Sequence, residues 1–295
     1  MKAMITGSSG FIGSRLAAHL ADQGVSVEKV RHPVLGRDYS DVGNVVSKIK
    51  PNIIFHLAGT YQSPRSSEMI EANCLFAANL LDALRLQEIK CRIVMMGSAA
   101  EYGPVEESAL PIRENHPARP ETLYGICKLS QTLIGTAFAK GGMDVVIART
   151  FNALGVGMPE FLSIPGFARQ LRDIRSGKKP PVLKTGNLDT CRDFISVDSC
   201  VRALWLLGTA NEASGRIVNI CSGISRSIRS IVNRMIEITG LPVRMETDPT
   251  RMRRSDPGNN YGDPSLLRSL TGYVPILNDA ELDEILNGLL ETKIA

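Results

Sequence analysis

Short apolar runs alternate with longer amphipathic segments along the first half of the chain. A short apolar run predicts a buried strand, and a segment whose apolar residues recur every three or four positions predicts a helix. Alternating strands and helices are typical of a parallel sheet that helices cover on both faces. The predicted strands span residues 3–6, 25–31, 53–59, 92–96 and 143–149.

The alternation stops after Arg149, where a loop rich in Gly and Pro begins at Phe151. We expect a second lobe to start at this loop. A helix over 197–207 and a strand over 217–220 are expected to return to the main sheet. The pattern therefore predicts an α/β protein in two parts: a main domain over 1–151 with a returning segment over about 189–221, and a smaller α/β lobe over 152–188 and 222–295.

Three glycines follow the first predicted strand. Gly7, Gly10 and Gly13 stand between that strand and a helix whose apolar stripe includes Leu16 and Leu20. Glycines at such a turn let the backbone approach a pyrophosphate, whose charge then meets the helix N-terminus. The order predicts a Rossmann-type, doubly wound dinucleotide-binding domain, and the alternative is a glycine-rich turn without a ligand. With the small residues that end the third strand, the expected cofactor contacts are Gly7, Gly10, Phe11, Ile12, Gly13, Leu57, Ala58 and Gly59.

The end of the second predicted strand indicates which dinucleotide binds. Folds that bind NAD usually carry an acidic residue there for the ribose hydroxyls, whereas this chain has Arg31 and His32. Because a guanidinium suits the 2′-phosphate of NADP, we expect NADP(H) rather than NAD(H); the alternative is a solvated arginine at a strand end. Asp38, shortly after this strand, is also expected to lie at the cofactor.

Tyr124 and Lys128 carry the candidate chemistry. Residues four apart share one face of a helix, so the spacing brings a phenol beside an ammonium. The positive charge favours the phenolate, which predicts a tyrosine that exchanges a proton near neutral pH. Ser98, at the end of a predicted strand, would hydrogen-bond to the same substrate oxygen and polarise a carbonyl. The alternative is an exposed helix face without catalytic function.

Composition and charge indicate which kinds of ligand and which cellular setting to expect. The net charge of +4 and the pI near 8.7 are too small to imply a nucleic-acid surface, so an anionic small ligand is expected instead. The six cysteines contain no Cys-x-x-Cys pair and the four histidines are scattered, so no metal site is expected and a reduced, cytoplasmic setting is favoured. We also expect no signal peptide and no membrane span, since the chain enters a strand at once and has no long apolar run.

Six motifs in order make the chain resemble an extended short-chain dehydrogenase/reductase of the nucleotide-sugar group over nearly its whole length. They are Thr6-Gly-x-x-Gly-x-x-Gly13, His56-Leu-Ala-Gly59, Ser98 with Tyr102-Gly103, Tyr124-x-x-x-Lys128, Arg149-x-Phe-Asn152 and Arg192-Asp-Phe194-x-x-Val-Asp198. The resemblance implies that Tyr124 is the acid or base, that Lys128 holds the nicotinamide ribose and lowers the tyrosine pKa, and that Ser98 binds the reacting sugar oxygen.

The resemblance also implies a nucleotide-diphosphate sugar as the partner. It assigns Asn152, Arg192 and Arg253 to the diphosphate and Asp256 to the nucleoside ribose. It further implies a homodimer formed through a helix pair that includes the Tyr124 helix. The segments 97–103, 149–152 and 184–194 are similar to those of reductases that act on a GDP-linked 4-keto-6-deoxy sugar, which favours GDP and places Lys184 in the base pocket.

Ala99 and Ala100 narrow the reaction within the family. Dehydratases of the family carry acidic residues after the hydroxyl residue, and fucose synthases carry a cysteine, and these groups transfer protons in those reactions. The methyl groups of Ala99 and Ala100 cannot transfer a proton, so dehydration and 3,5-epimerisation are not expected. Glu101 is displaced by one residue and is expected to face the opposite side. The prediction is NADPH-dependent reduction of a 4-keto group, with GDP-4-keto-6-deoxy-D-mannose converted to GDP-D-rhamnose. The alternatives are a 4-epimerase with bound NAD and a non-catalytic NADP-binding sensor or scaffold.

Overall fold

A central sheet of six parallel strands organises the computed structural model, which describes residues 1–30, 39–252 and 258–292. The strand order across the sheet is β2-β1-β3-β4-β5-β9. The order reverses direction between β1 and β3, and a crevice opens at the carboxyl ends of parallel strands at such a point. The strands are β1 (Lys2–Thr6), β2 (Ser26–Val30), β3 (Ile53–His56), β4 (Arg92–Ser98), β5 (Val145–Thr150) and β9 (Ile217–Ile220).

Helices cover both faces of this sheet, as the alternating pattern predicted. Successive strand residues point to opposite faces, so Ala3 and Ile5 join one buried core while Met4 joins the other. Two helices, α1 (Phe11–Asp22) and α7 (Val197–Thr209), pack on the first face. The second face is covered by α2 (Tyr39–Ile49), α4 (Phe76–Leu86) and α5 (Leu123–Lys140).

A third core lies in the C-terminal part, between helices and two small sheets. The strand β8 pairs with β6, β10 and β12, and β7 pairs with β11. The strands are β6 (Asn152–Leu154), β7 (Val182–Thr185), β8 (Cys191–Ser196), β10 (Ser225–Ser227), β11 (Arg244–Thr247) and β12 (Asn259–Asn260). The helices are α6 (Ser163–Arg175), α8 (Ile228–Thr239) and α10 (Asp279–Glu291), while the short α9 (Ser265–Thr271) packs against the main sheet's core.

The sequence predicts one long helix after β3, with an apolar stripe of Ile70, Cys74, Ala77, Leu81 and Leu84, and the structure interrupts this helix. The structure has α3 (Ser66–Ile70), a π-helical turn over Glu71–Leu75 and then α4. A π turn adds a residue and shifts the register of the helix face. The predicted apolar stripe was therefore wrong at Ile70, which is 48% exposed, while Asn73 turns inward.

None of the helices in the described ranges is long and apolar enough to cross a bilayer. The described part of the chain also contains no group of three or more His, Cys, Asp or Glu side chains placed to hold a metal ion.

Candidate active site

The glycine loop connects β1 to α1 and packs against the segment that follows β3. Gly7 has a φ of +73°, and a Cβ there would lie 2.8 Å from the backbone nitrogen of Ala58. A Cβ on Gly13 would lie 2.1 Å from the Gly7 carbonyl oxygen. The first turn of α1, after Gly10, has no side-chain cap, so its amides face the loop. This cradle fits the pyrophosphate of a dinucleotide.

Two clefts meet at this loop. The first, which we call the glycine-loop cleft, has a volume of about 800 Å³ and is lined by residues that include Gly7, Gly10, Leu57, Ala58 and Gly59. The second, the tyrosine cleft, has a volume of about 530 Å³ and is lined by residues that include Phe11, Ile12, Ser98, Tyr124, Asn152 and Arg192. The structure therefore brings together most of the residues predicted from the motifs.

Ser98 and Tyr124 lie side by side in the tyrosine cleft. Ser98 ends β4 and caps a short 3₁₀ helix, where its hydroxyl accepts a hydrogen bond from the backbone nitrogen of Ala100 at 3.2 Å. Tyr124 occupies the first turn of α5, which Thr122 caps by accepting from the nitrogen of Gly125 at 3.1 Å. Both side chains line the same cleft, and the Ser98 hydroxyl lowers the pKa of the Tyr124 phenol. A substrate oxygen bound between them could accept from both hydroxyls.

The phenol of Tyr124 is protonated at neutral pH. Burial raises its pKa to about 12, and the hydrogen bond with Ser98 opposes that rise without reversing it, while Tyr61 and Glu101 add to it. The expected lowering of this pKa by Lys128 is not what the structure shows. The physical reason is that loss of hydration disfavours the phenolate more than the nearby groups stabilise it. The site holds a proton donor.

Lys128 lies one helical turn further along α5 and is buried, with 5% exposure. Its ammonium donates to Oε1 of Gln131 at 2.8 Å. Burial lowers the pKa of Lys128 to about 8, with Glu101 the largest influence that opposes this shift. Its charge is therefore poised to change slightly above neutral pH.

Asn152 and Arg192 reach the tyrosine cleft from the second part of the chain. Asn152 donates to the carbonyl of Asp193 at 2.9 Å, which ties β6 to β8 beside Arg192. The Asp193 carboxylate is fully buried and accepts from four donors. These are the Ser222 nitrogen (2.8 Å), the Ser222 hydroxyl (2.7 Å), the Gly223 nitrogen (2.9 Å) and the Gly262 nitrogen (3.3 Å). Asp193 thus fixes the strand that carries Arg192.

Other predicted residues lie elsewhere. The ammonium of Lys184 pairs with Glu246 at 2.6 Å, and the structure does not place it among the residues that line either cleft. Its assignment to the base pocket stays a prediction that this geometry does not support. Four further predicted residues lie outside the described ranges: Arg31, Asp38, Arg253 and Asp256.

Several residues at the clefts were not predicted. The ring of Tyr61 lies 4.7 Å from that of Tyr124 and 5.8 Å from that of Phe161, centroid to centroid, and both Tyr61 and Phe161 are largely exposed. Arg169 and Arg251 also line the tyrosine cleft. An aromatic residue in an otherwise polar loop is a signal that could have indicated Tyr61, whereas Phe161 lies among apolar neighbours that conceal it.

Comparison with known proteins identifies the class. The chain belongs to the NAD dependent epimerase/dehydratase family, whose model matches residues 3–221. It is accordingly an NAD(P)-dependent enzyme of the extended short-chain dehydrogenase/reductase type, and the predicted α/β fold is confirmed.

Individual relatives are similar over most of their length. The GDP-6-deoxy-D-mannose reductase of Pseudomonas aeruginosa is 30% identical over 278 residues, which cover 92% of this chain and 91% of the relative. The GDP-6-deoxy-D-talose 4-dehydrogenase of Aggregatibacter actinomycetemcomitans is 28% identical over 281 residues, 92% of each chain. The solved structure of RMD from Pseudomonas aeruginosa complexed with NADPH superimposes with a TM-score of 0.86 at 27% identity and covers 98% of both chains.

Proposed function

We propose that the protein is an NADPH-dependent reductase of a nucleotide-linked 4-keto-6-deoxy sugar, with GDP-4-keto-6-deoxy-D-mannose as substrate and GDP-D-rhamnose as product. The observation that supports this proposal is the placement of Ser98 and Tyr124 in the lining of one cleft, with the pKa of the Tyr124 phenol raised by burial. A protonated phenol suits reduction, in which the substrate oxygen gains a proton. The similarity to two enzymes of GDP-linked 6-deoxy sugars supports the nucleotide and the sugar.

Each residue has one task in this reaction. The bound NADPH supplies the hydride for C4. Tyr124 donates its proton to the C4 oxygen, and Ser98 donates a hydrogen bond to the same oxygen, which stabilises the negative charge that develops there. Lys128 holds the nicotinamide ribose while it is cationic. Glycines at the loop bind the pyrophosphate.

The residues after Ser98 limit the chemistry to C4. Ala99 and Ala100 line a side cavity of about 250 Å³ that also contains Ser98 and Tyr124. Neither methyl group transfers a proton, and the next residue, Glu101, is fully buried, with its carboxylate held by Arg149 and by the Ser98 nitrogen. Dehydration and epimerisation at C3 or C5 therefore lack a base at these positions.

Positive charge at the tyrosine cleft supports a diphosphate ligand. Arg169, Arg192 and Arg251 line this cleft, and guanidinium groups bind paired phosphate oxygens well. Arg253 and Asp256 remain proposed contacts to the diphosphate and to the nucleoside ribose. We also propose the predicted division into a cofactor domain (1–151 with about 189–221) and a sugar-nucleotide lobe (152–188 and 222–295).

The choice of NADPH rests on Arg31 and on the NADPH complex of the similar structure. It predicts that NADPH is used in strong preference to NADH. Equal use of the two cofactors contradicts the role given to Arg31.

We propose a homodimer formed through α4 and α5. Exposed apolar side chains on these helices and the preceding turn include Leu75 (43%), Ile126 (47%) and Leu133 (60%). Replacement of Leu133 by Glu is expected to yield a monomer in sedimentation velocity, because a carboxylate would be buried in the interface. Ile276→Glu, at another exposed apolar position, is the matched control, and an unchanged mass for Leu133→Glu contradicts the interface.

The mechanism is tested with Tyr124→Phe. We expect turnover to fall by about a hundredfold or more, because general acid catalysis is lost, while NADPH binding is unchanged. Tyr273→Phe is the control, since its ring stacks with Arg202 far from the clefts. Unchanged turnover in Tyr124→Phe removes the mechanism, and tightly held NAD without net consumption of reduced cofactor identifies a 4-epimerase instead.

A further inference from the structure

We propose that Glu101 is a positioning residue that clamps Ser98 in its reactive orientation and supplies the buried negative charge that faces Tyr124 and Lys128. The proposal rests on the proposed function only in taking Ser98 and Tyr124 as the groups that act on the substrate oxygen. Glu101 itself does not touch the substrate, because its side chain is fully buried and both its oxygens are engaged.

The clamp on Ser98 is a reciprocal pair of hydrogen bonds. The Ser98 nitrogen donates to Oε1 of Glu101 at 2.8 Å, while the Ala100 nitrogen donates to the Ser98 hydroxyl at 3.2 Å. This capping box fixes both the backbone and the side chain of Ser98 at the point where β4 ends. The Ser98 hydroxyl is thereby held in one place in the cleft that Tyr124 also lines.

The second oxygen of Glu101 holds a cation. Arg149 donates from Nε to Oε2 of Glu101 at 2.7 Å, and both side chains are buried. The guanidinium of Arg149 also lies 4.6 Å from the centre of the Tyr102 ring. A Cβ on Gly97 would lie 2.7 Å from Oε1 of Glu101, so the glycine leaves the space that the carboxylate needs. These contacts fix the charge in one place.

Glu101 influences both residues of the Tyr-Lys pair. Its charge adds to the rise in the pKa of Tyr124 and is the largest influence opposing the fall in the pKa of Lys128. Glu101 thus helps to keep the phenol protonated and the amine cationic. Other ionisable groups face the pair from neighbouring elements: Tyr61 acts on Tyr124, Cys74 and Cys127 act on Lys128, and Lys128 acts on His56, which is neutral because burial lowers its pKa to about 3.

Two substitutions separate the two tasks. Glu101→Gln keeps an oxygen for the Ser98 nitrogen and removes the charge, whereas Glu101→Asp keeps the charge but is too short to reach that nitrogen without movement. Glu114→Gln is the matched control, because the Glu114 carboxylate accepts from the Asn219 nitrogen at 2.9 Å in the same region and has no bond to Ser98.

The first measurement is the dissociation constant of NADPH from the full-length protein as a function of pH, followed by fluorescence. Affinity should fall as Lys128 loses its proton. We expect Glu101→Gln to lower the midpoint of this fall by about one pH unit or more, because a nearby opposite charge shifts a pKa by that amount. Glu101→Asp and Glu114→Gln should keep the wild-type midpoint.

The second measurement is turnover of GDP-4-keto-6-deoxy-D-mannose. Glu101→Asp should lower kcat by about tenfold or more with little change in the affinity for NADPH, because Ser98 is released while the charge remains. Should Glu101→Gln unfold because Arg149 loses its partner, the double variant Glu101→Gln/Arg149→Met removes both charges and is expected to show the same lowered midpoint.

An NADPH midpoint that is unchanged in Glu101→Gln and in the double variant overturns the role of the charge. A wild-type kcat in Glu101→Asp overturns the clamp. The NADPH measurement uses no sugar, so it decides the role of the charge even where the wild-type protein reduces none of the proposed substrates, a result that would count only against the proposed function.

Discussion

The glycine loop makes a quantitative prediction about Gly13. A Cβ at this position would lie 2.1 Å from the Gly7 oxygen, 2.8 Å from its carbonyl carbon and 3.0 Å from the Cα of Ser8. All three are backbone atoms, so no side chain can rotate away. The loop and α1 would have to separate by about 1 Å, and overpacking of this kind costs about 1–3 kcal/mol of unfolding free energy.

Gly10 provides the contrast within the same loop. A Cβ there would meet only the Gly7 oxygen, at 3.3 Å, but Gly10 lines the glycine-loop cleft. Gly10→Ala should therefore cost about 1 kcal/mol or less in stability, as a less favourable cap, while its methyl group keeps the pyrophosphate from approaching. Gly13→Ala should lose both stability and NADPH affinity.

Urea unfolding and NADPH titration of Gly10→Ala and Gly13→Ala test these two expectations. We expect Gly13→Ala to show the larger loss of unfolding free energy, and both variants to bind NADPH about tenfold or more weakly, since one lost charge-assisted hydrogen bond contributes about 1.5–3 kcal/mol. The reasoning is refuted if Gly13→Ala is as stable as the wild-type protein.

Three further predictions follow from the site. The affinity for NADPH should fall as pH rises through about 8, because burial lowers the pKa of Lys128 to that value and the folded protein then loses the ammonium charge. The unfolding free energy should rise between pH 8 and about 10.5, because in this range Lys128 is protonated in the unfolded state and neutral in the folded state. Lys128→Met should show neither change. Asp193→Asn should lower the unfolding free energy, measured in urea, by about 3–5 kcal/mol, because the NH2 group of the asparagine would face backbone N–H donors. Asp279→Asn, at an exposed carboxylate, is the control and should lower it little. Equal unfolding free energies for the two variants contradict the anchoring role of Asp193. Tyr61→Ala should raise KM for the sugar nucleotide by about 2- to 10-fold through loss of its aromatic contacts, and an unchanged KM excludes Tyr61 from the sugar site.

Local patterns were sufficient for most of the main sheet. The strand Ile217–Ile220 was predicted with its observed bounds, and β1 and β2 lie within a residue of their predicted positions. β1 and the strand Ile217–Ile220 are buried along nearly their whole length, so their sequences are mostly apolar, whereas β2 lies at the edge of the sheet, is largely exposed and was placed by its composition. The glycine loop was also predicted, and at Gly7 and Gly13 the backbone is too close to admit a Cβ.

Features that depend on distant partners were not predictable. The π turn turns Asn73 inward, where its side chain donates to the carbonyls of Thr60 and Met69, and the Thr60 carbonyl belongs to a separate loop. The contact between Tyr61 and Phe161 joins two loops from different parts of the chain. The helix α10 was not predicted, although Asn278 caps it. Its leucines are buried only because they pack against the other helices of the third core.

The candidate site was predicted in its residues and less well in its electrostatics. Spacing placed Tyr124 and Lys128 on one helix, and the structure has the predicted Ser98 and Tyr124 in the lining of one cleft, while Lys128 is buried beside it in α5. Spacing alone indicated a phenolate, whereas burial of both groups reverses the expected direction of the tyrosine pKa. The partner of Lys184 likewise depends on the pairing of β7 with β11, which no local pattern shows.

The central claim is tested most directly by incubating the protein with NADPH and 4-keto-6-deoxy sugars carried on GDP, dTDP, UDP and CDP. Cofactor oxidation is followed by absorbance and the product by NMR. We expect rapid oxidation of NADPH with GDP-4-keto-6-deoxy-D-mannose and the appearance of GDP-D-rhamnose. Absence of NADPH oxidation with all four nucleotide sugars contradicts the account.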